Sequence, residues 1–356
     1  MCFKCTDAML IGCVLSCLVI FSCSIPGPQH PKPVNPNTSL EARMLLDFLY
    51  EIEGEYTLSG HHNYIRNLTQ YSGAVEDMTG VSPVVWGADF SFNFGDRDPN
   101  EARQALIDTT TLMYKKGHII TLMWHSCFPE DGQACDADSI WVWQPGVSEA
   151  KWDSLVTPGT ELNVMWQEQV DQVAEFLKQL RDAGVPVLWR PYHEMNGIWF
   201  WWCNKRGDDG FVKLWRMMYD RFVNVHELHN LLWVWNPNAP RDKEGDEAYA
   251  YDLFFPGLEY VDILAADVYH NDYRSSHHDD LLDLAAGKLI ALGEVGQLPT
   301  PEVLQEQPQW TWFMGWANWL FRANEPDSVR ALYDAPRVLG MQDVERDADG
   351  RYHVRK

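Results

Sequence analysis

The sequence predicts an α/β fold: one closed (β/α)8 TIM barrel with candidate catalytic carboxylates at the C-terminal ends of its fourth and seventh strands. Three observations predict it. Short β-rich apolar runs recur eight times along the 356 residues. Segments with apolar residues at helical spacing lie between many of them. Polar residues gather where the β-rich runs end. Alternation of strand and helix implies a parallel sheet, and eight such units close into a barrel. The runs are almost continuously apolar rather than alternating, as parallel strands covered on both faces require.

The elements follow in order. "NTSLEARMLLDFLYEIEG" (Asn37–Gly54) reads as an amphipathic helix with polar capping residues at its start and Gly at its end. The first four strands are "YTLSGHHN" (Tyr56–Asn63), "PVVWGADF" (Pro83–Phe90), "HIITLMWH" (His118–His125) and "VPVLWRPYHE" (Val185–Glu194). The second four are "LLWVWNPN" (Leu231–Asn238), "VDILAADVY" (Val261–Tyr269), "LIALGEVG" (Leu289–Gly296) and "WTWFMGWANW" (Trp310–Trp319). Between them, Pro99–Gly117 opens with Pro and closes with Gly, Asn163–Gly184 has helical periodicity, and Asp209–Val223 behaves similarly. The stretch Ser126–Glu161 is aromatic, lacks helical period and reads as a long loop over the barrel mouth.

The strand ends carry His61, His62, Asp89, His125, His193, Glu194, Asn236, Asp267, Tyr269 and Glu294. In this fold those ends form one face, which carries the active site. Burying so many polar groups for stability alone would be costly.

Acidic residues outnumber basic ones, 51 to 28, for a formal net charge of −23. Such a chain repels phosphate backbones, so nucleic acid is not an expected partner; a neutral substrate meets no such barrier. Five of the eight cysteines fall within the first 23 residues. There "AMLIGCVLSCLVIFSC" (Ala8–Cys23) is an apolar run of signal-peptide length, too short and too early for a membrane span. Ile20 three residues before Cys23, with Ser22 between, resembles a bacterial lipoprotein signal, which makes Cys23 the expected lipidation site. "LIGC" (Leu10–Cys13) fits the local pattern too, but only Cys23 leaves a long enough apolar run. A plain secretory signal is the alternative, and either reading exports the protein: lipid-anchored to a bacterial outer membrane on its periplasmic or outer side, or soluble beyond the inner membrane. The expected organisation is a signal over residues 1–23, a Pro/Asn-rich extended tether over 24–37, the catalytic domain over 38–340 and a charged tail over 341–356. In an oxidising compartment Cys127 and Cys135, eight residues apart in one loop, are candidates to pair.

"WRPYHEMNGIWFWW" (Trp189–Trp202) sets an acid beside an imidazole and then packs four aromatic rings into a few residues. A zinc-binding H-E-x-x-H helix would need His where Gly197 stands, so no metal is expected. No nucleophile elbow, P-loop or dinucleotide fingerprint occurs either. Glu194 and Glu294 close strands on opposite sides of one barrel mouth, where two carboxylates can face each other across a cleft. That arrangement suits glycoside hydrolysis: one group protonates the leaving oxygen and the other attacks the anomeric carbon or activates water. Sugar rings present apolar C–H faces that stack on aromatic rings. Trp199 and Trp316 are the expected platforms, whereas Trp189, Trp201 and Trp233 read as packing.

The Trp189–Trp202 motif resembles the signature of glycoside hydrolase family 26, dominated by β-mannanases. "LSGHHN", "VVWGADF", "HIITLMWH", "FFPGLEYVDILAADVYHND" and "LGEVG" extend the resemblance over about residues 40–335. It implies a (β/α)8 barrel, a retaining double displacement, no cofactor, and β-mannan or manno-oligosaccharides as partner. Carried over position by position, Glu194 resembles the general acid/base and Glu294 the nucleophile. His193 helps to order the sugar and the nucleophile, Tyr269 hydrogen-bonds the nucleophile, His125 contacts the sugar just before the scissile bond, and Trp199 and Trp316 match subsite aromatics. Two positions depart: Cys203 replaces the usual Gly after "WFWW", and "GHH" replaces "GQH", which leaves His61 and His62 without a role. The expected function is cleavage of β-1,4-mannosidic bonds in mannan, glucomannan or galactomannan, with endo action preferred. Exo release of mannobiose, action on mixed-linkage β-glucan or β-1,3-xylan, and non-catalytic glycan capture are the alternatives.

Overall fold

The computed structural model describes residues 30–143 and 146–355. Cys23, the signal segment and the first part of the tether lie outside the described residues. Eight parallel strands form the barrel: β1 (Thr57–Asn63), β2 (Val85–Asp89), β3 (Ile119–Trp124), β4 (Val187–Pro191), β5 (Leu231–Trp235), β6 (Ile263–Val268), β7 (Leu289–Val295) and β8 (Trp310–Gly315). Each pairs with its neighbour in sequence, and β1 pairs with both β2 and β8, which closes the ring. The expected (β/α)8 barrel is therefore present.

The pleat decides which side chains enter the barrel, because alternate residues point to opposite faces. Leu58, Val85, Ile119, Leu188, Leu232, Ile263, Leu289 and Trp312 form one buried cluster low in the barrel. Continuing each strand by twos towards its C-terminal end reaches His62, Asp89, His125, Arg190, Asn236, Asp267 and Trp316. The interior thus changes from apolar to polar along β1 to β6, and the polar end is the candidate site. A larger apolar cluster fills the space between the strands and the outer helices, including Trp189, Trp201 and Trp233, each fully buried. Those three tryptophans are packing residues, as expected.

Strand β7 breaks the parity. Ala291 faces inward, so position 293 should follow and Glu294 should point away. The β6–β7 and β7–β8 registers both slip near this point. The irregularity turns Glu294 into the barrel, as β-bulges beside active sites do. Gly293 permits it: a Cβ there would stand 1.9 Å from the Asn236 Oδ1.

Several elements differ from expectation. Strand β4 stops at Pro191, so Glu194 lies beyond the strand end and does not close it. Strand β8 stops at Gly315, and Trp316 sits on the following turn. The Ser126–Glu161 stretch contains short helices at Ala137–Ile140 and Glu149–Val156, the latter capped by Ser148. The stretch was too aromatic and too interrupted for its short helical turns to show as a period. Between β5 and β6 the described residues hold only 3-10 turns, at Tyr251–Phe254 and Leu258–Tyr260.

The barrel's bottom is plugged by the Leu40–Ile52 helix, whose N-cap Ser39 accepts from the Ala42 amide. The segment before it is not free. Val34 donates its amide to Asp262 at 2.7 Å, and Tyr219 donates its hydroxyl to the Val34 carbonyl at 2.9 Å. The charged C-terminal segment forms a hairpin, Val344–Arg346 against Tyr352–Val354, and Tyr352 stacks on Phe48 of the plug helix. Among the described residues, no helix is long and apolar enough to cross a membrane.

Candidate active site

The polypeptide leaves β4 under strain. Tyr192 and Glu194 both adopt left-handed backbone angles, φ 48° and 54°. Such angles are costly for residues other than glycine and cluster at functional sites. The contacts that hold them are local. Tyr192 is fully buried, with its hydroxyl accepting from Trp166 Nε1 at 3.0 Å. The Glu194 amide donates to the Asn236 carbonyl at 2.7 Å, and its carbonyl accepts from Gly197 N at 2.9 Å and Cys203 Sγ at 3.1 Å. Cys203, at the position where the resemblance expects Gly, thus ties the loop back to the glutamate.

One cleft of about 260 Å³ is walled by Glu194, Glu294, His125, Trp199, Tyr269 and Trp316, together with Trp141, Asn238 and Arg241. The sequence-identified residues therefore come together, with one difference in placement. His193 is buried behind the cleft and is not one of its walls; its Nε2 stands 3.7 Å from Glu294 Oε1.

The two glutamates occupy different environments. Glu294 Oε2 accepts from the Tyr269 hydroxyl at 3.0 Å and Oε1 from Arg190 Nη2 at 3.2 Å. Burial raises its pKa, while Arg190, His125 and Tyr269 favour its anion. Glu194 Oε1 accepts from Asn238 Nδ2 and Oε2 from Trp199 Nε1 at 2.7 Å. Burial, and then the charge of Glu294, push Glu194 up to about 7 against Asn238, Arg241 and Trp199. Burial and the charge of Glu294 raise the neighbouring Asp267 as well. Of the two glutamates, Glu294, beside a guanidinium, has the surroundings that more favour the anion, and Glu194 those that more favour the acid.

His125 is oriented from below. Its Nδ1 stands 2.9 Å from Asp89 Oδ2, and its amide donates to Asp89 Oδ1 at 3.0 Å. Burial works against the charged ring, but Asp89 holds the His125 pKa above its usual value. Nδ1 is thus the donor to Asp89, and Nε2 is left for the cleft.

His193, Asp267 and Glu294 bring ligand-type atoms close enough to suggest a metal. Arg190 already supplies their positive charge, 3.8 Å from Asp267 Oδ1 and 3.2 Å from Glu294 Oε1. The trio does not fit a metal site.

Reading the motifs left Arg190, Asn238 and Arg241 without roles. Arg190 carried a signal: a lone cation inside an apolar strand has to meet a buried anion. Asn238 sits in "NPN" straight after β5, one more polar strand end. Arg241 had no local signal, since it belongs to an irregular loop. Cys127 and Cys135 form the disulfide that their loop allowed, with Cα atoms 6.0 Å apart.

The family model described as "Glycosyl hydrolase family 26" matches residues 34–343. A mannan endo-1,4-beta-mannosidase of Thermothelomyces thermophilus is 31% identical over 90% of this chain and 66% of its own length. Two Piromyces relatives, mannan endo-1,4-beta-mannosidases A and B, are matched over 46% and 48% of theirs, so this chain spans half to two thirds of these curated relatives. A Bacillus subtilis mannan endo-1,4-beta-mannosidase is 26% identical over 94% of the chain and 96% of its own length. Among solved structures, GH26A from Muricauda sp. MAR_2010_75 superposes with TM-score 0.83 at 48% identity, covering 87% of this chain and 99% of that one. With its barrel, its paired glutamates and a family match running through most of its length, the chain belongs to glycosyl hydrolase family 26.

Proposed function

We propose that this chain is a retaining, endo-acting β-mannanase that cleaves β-1,4-mannosidic bonds in mannan, glucomannan or galactomannan. The observation that carries the reading is the unequal pair of carboxylates: Glu194 raised to about 7 beside Glu294, with Glu294 taking the Tyr269 and Arg190 hydrogen bonds. A general acid needs a pKa near the working pH, and a nucleophile needs to be ionised there.

In the first step Glu294 attacks the anomeric carbon while Glu194 gives its proton to the glycosidic oxygen. The C–O bond breaks, and the leaving sugar departs as an alcohol. In the second step Glu194, now a carboxylate, takes a proton from water. The hydroxide displaces Glu294 at the same carbon, and both glutamates return to their starting states. Two inversions give net retention. His125 would contact the sugar being attacked, His193 would back the nucleophile, and Trp199 and Trp316 would stack on sugar faces on either side.

Endo action is supported by the relatives' names and by the cleft's continuity. A chamber of about 570 Å³ shares His125, Trp141 and Trp316 with the cleft. A depression of about 290 Å³ on the opposite side shares Arg241. A chain threading the site has room in both directions. The net charge of −23 is compatible with a neutral polysaccharide.

The test is a product profile over time on linear mannan, galactomannan, barley β-glucan and β-1,3-xylan, with Glu294→Ala as control. A ladder of manno-oligosaccharides is expected from the two mannans. Mannobiose alone from the earliest time would replace endo with exo action. Cleavage of β-glucan or β-1,3-xylan without mannan would overturn the substrate, and binding without cleavage would make the protein a glycan-capture module. We propose also that the chain is exported and anchored through lipid on Cys23. Incorporation of labelled palmitate that is lost in Cys23→Ala is the expected result; incorporation unchanged in that variant would overturn the assignment.

A further inference from the structure

Resting on the reading of Glu194 as the acid/base, we propose that Arg241, held by Asp246, is a positioning residue that fixes the Glu194 carboxylate through both of its hydrogen-bond donors. Each oxygen of Glu194 takes one side-chain donor: Asn238 on Oε1, and Trp199 at 2.7 Å on Oε2. Both donors meet the same guanidinium. Arg241 Nη1 donates to Asn238 Oδ1, and its Cζ lies over the Trp199 ring, 5.1 Å from the centroid. The amide bond orientation of Asn238 follows: with Oδ1 claimed by Arg241, only Nδ2 can face the glutamate.

Arg241 is itself constrained. Its Nε donates to the Asp246 carbonyl at 2.9 Å and its Nη2 to Asp246 Oδ1 at 2.5 Å. Its backbone exchanges two 2.9 Å hydrogen bonds with Ala248. The loop is sewn to the segment after Glu194 by Asn196, whose Nδ2 donates to the carbonyls of Asn238 and Tyr249, both at 2.7 Å. A loop without regular structure thus holds a fixed cation in the wall of the cleft.

The titratable and charged groups around Glu194 are Glu294 on β7, Asp267 on β6 with Tyr269 and His270 just past it, His125 past β3, Cys203 in its own loop, and Arg241 with its partner Asp246. Arg190 on β4, the other guanidinium of the site, is taken by Glu294 and Asp267. Arg241 is therefore the permanent cation that bears on Glu194, and its charge favours the ionised form. Removing it should move the basic limb of the pH profile upward and let the carboxyl lose its aim. Proton donation matters when the leaving group is a sugar alcohol. It matters little for a nitrophenolate, which leaves without a proton.

The experiment compares wild type, Arg241→Gln, Arg241→Lys, Asp246→Asn and Glu194→Ala on linear mannan and on 2,4-dinitrophenyl β-mannobioside, with pH profiles of kcat. Arg241→Gln and Asp246→Asn are expected to lose about tenfold to a hundredfold in kcat on mannan. They should lose less than about threefold in the glycosylation rate on the aryl substrate, with the basic limb of Arg241→Gln displaced upward and partly restored in Arg241→Lys. Equal losses on both substrates with an unmoved basic limb would overturn the proposal. So would a wild-type kcat on mannan in folded Asp246→Asn and Arg241→Gln. If Glu194→Ala itself shows no difference between the two substrates, the acid/base assignment falls, and the role of Arg241 falls with it.

Discussion

Glu194 is a buried carboxyl whose pKa the fold raises, which has a consequence for stability as well as for catalysis. Its folded pKa of about 7 stands above the ordinary 4.5. In the unfolded chain it ionises near that ordinary value, so folding above it has to restore a proton or bury a charge. Stability from this group is fully present below the unfolded pKa and is lost as pH rises through the folded one. The full penalty is on the order of 3 kcal/mol. Glu194→Gln is therefore expected to match wild type near pH 4 and to exceed it in stability near pH 8, as read by urea unfolding at the two pH values. The same difference at both would show that burial does not hold the proton there. Much of this site was legible in residue types, because His125, Glu194, Tyr269 and Glu294 end apolar runs. What was not legible is how Glu194 is aimed. The left-handed turn at Tyr192 and Glu194 has no glycine to announce it, and Arg241 reaches the site from a loop.

At the scale of elements, two departures from regular geometry build the site. The slip in β7 turns Glu294 inward, and Gly293 makes it possible by letting Asn236 approach. Asn236 in turn takes Arg190 on Oδ1 and gives Nδ2 to Asp267 at 2.8 Å. Gly293→Ala is expected to cost about 1–3 kcal/mol of stability, and to lower kcat by at least about tenfold through the displaced Asn236–Arg190 pair. Unfolding curves and kinetics on mannan check both, and a wild-type result in each would show that the close approach is unimportant. The second departure is the long loop after β3. It is pinned where Trp201 Nε1 donates to the Ser126 carbonyl at 2.7 Å and Cys135 N donates to the Phe92 carbonyl at 3.1 Å. The Cys127–Cys135 bridge closes a short loop there. Replacing both cysteines by serine is expected to cost roughly 2–3 kcal/mol, measured by chemical unfolding without reductant. No loss would mean that the pinning contacts suffice alone. Strand count and order were readable from apolar runs. The β7 slip was not, since it depends on what faces Gly293 across the barrel.

For the whole molecule, the barrel divides labour between its ends. The proposed catalytic groups lie at the C-terminal ends of the strands and the stabilising plug at the other. The plug combines the Leu40–Ile52 helix, the pinned Val34 and the C-terminal hairpin, in which Arg346 lies 3.6 Å from the Tyr114 ring centroid. Deleting residues 341–356 is expected to lower the melting temperature while leaving the product profile of the folded enzyme unchanged. A changed profile at an unchanged melting temperature would contradict this division. The tail's charge hid its role, because among its described residues only Val344 and Tyr352 are buried, and two apolar residues make no visible period.

The most direct test of the central claim, a double displacement at Glu294 with Glu194 as its acid, is proton NMR of the reducing ends released in the first minutes of mannan hydrolysis. Two successive inversions at one carbon require the β anomer first, with the α anomer growing later by mutarotation. The α anomer appearing first would mean a single displacement by water, and would contradict Glu294 as the nucleophile.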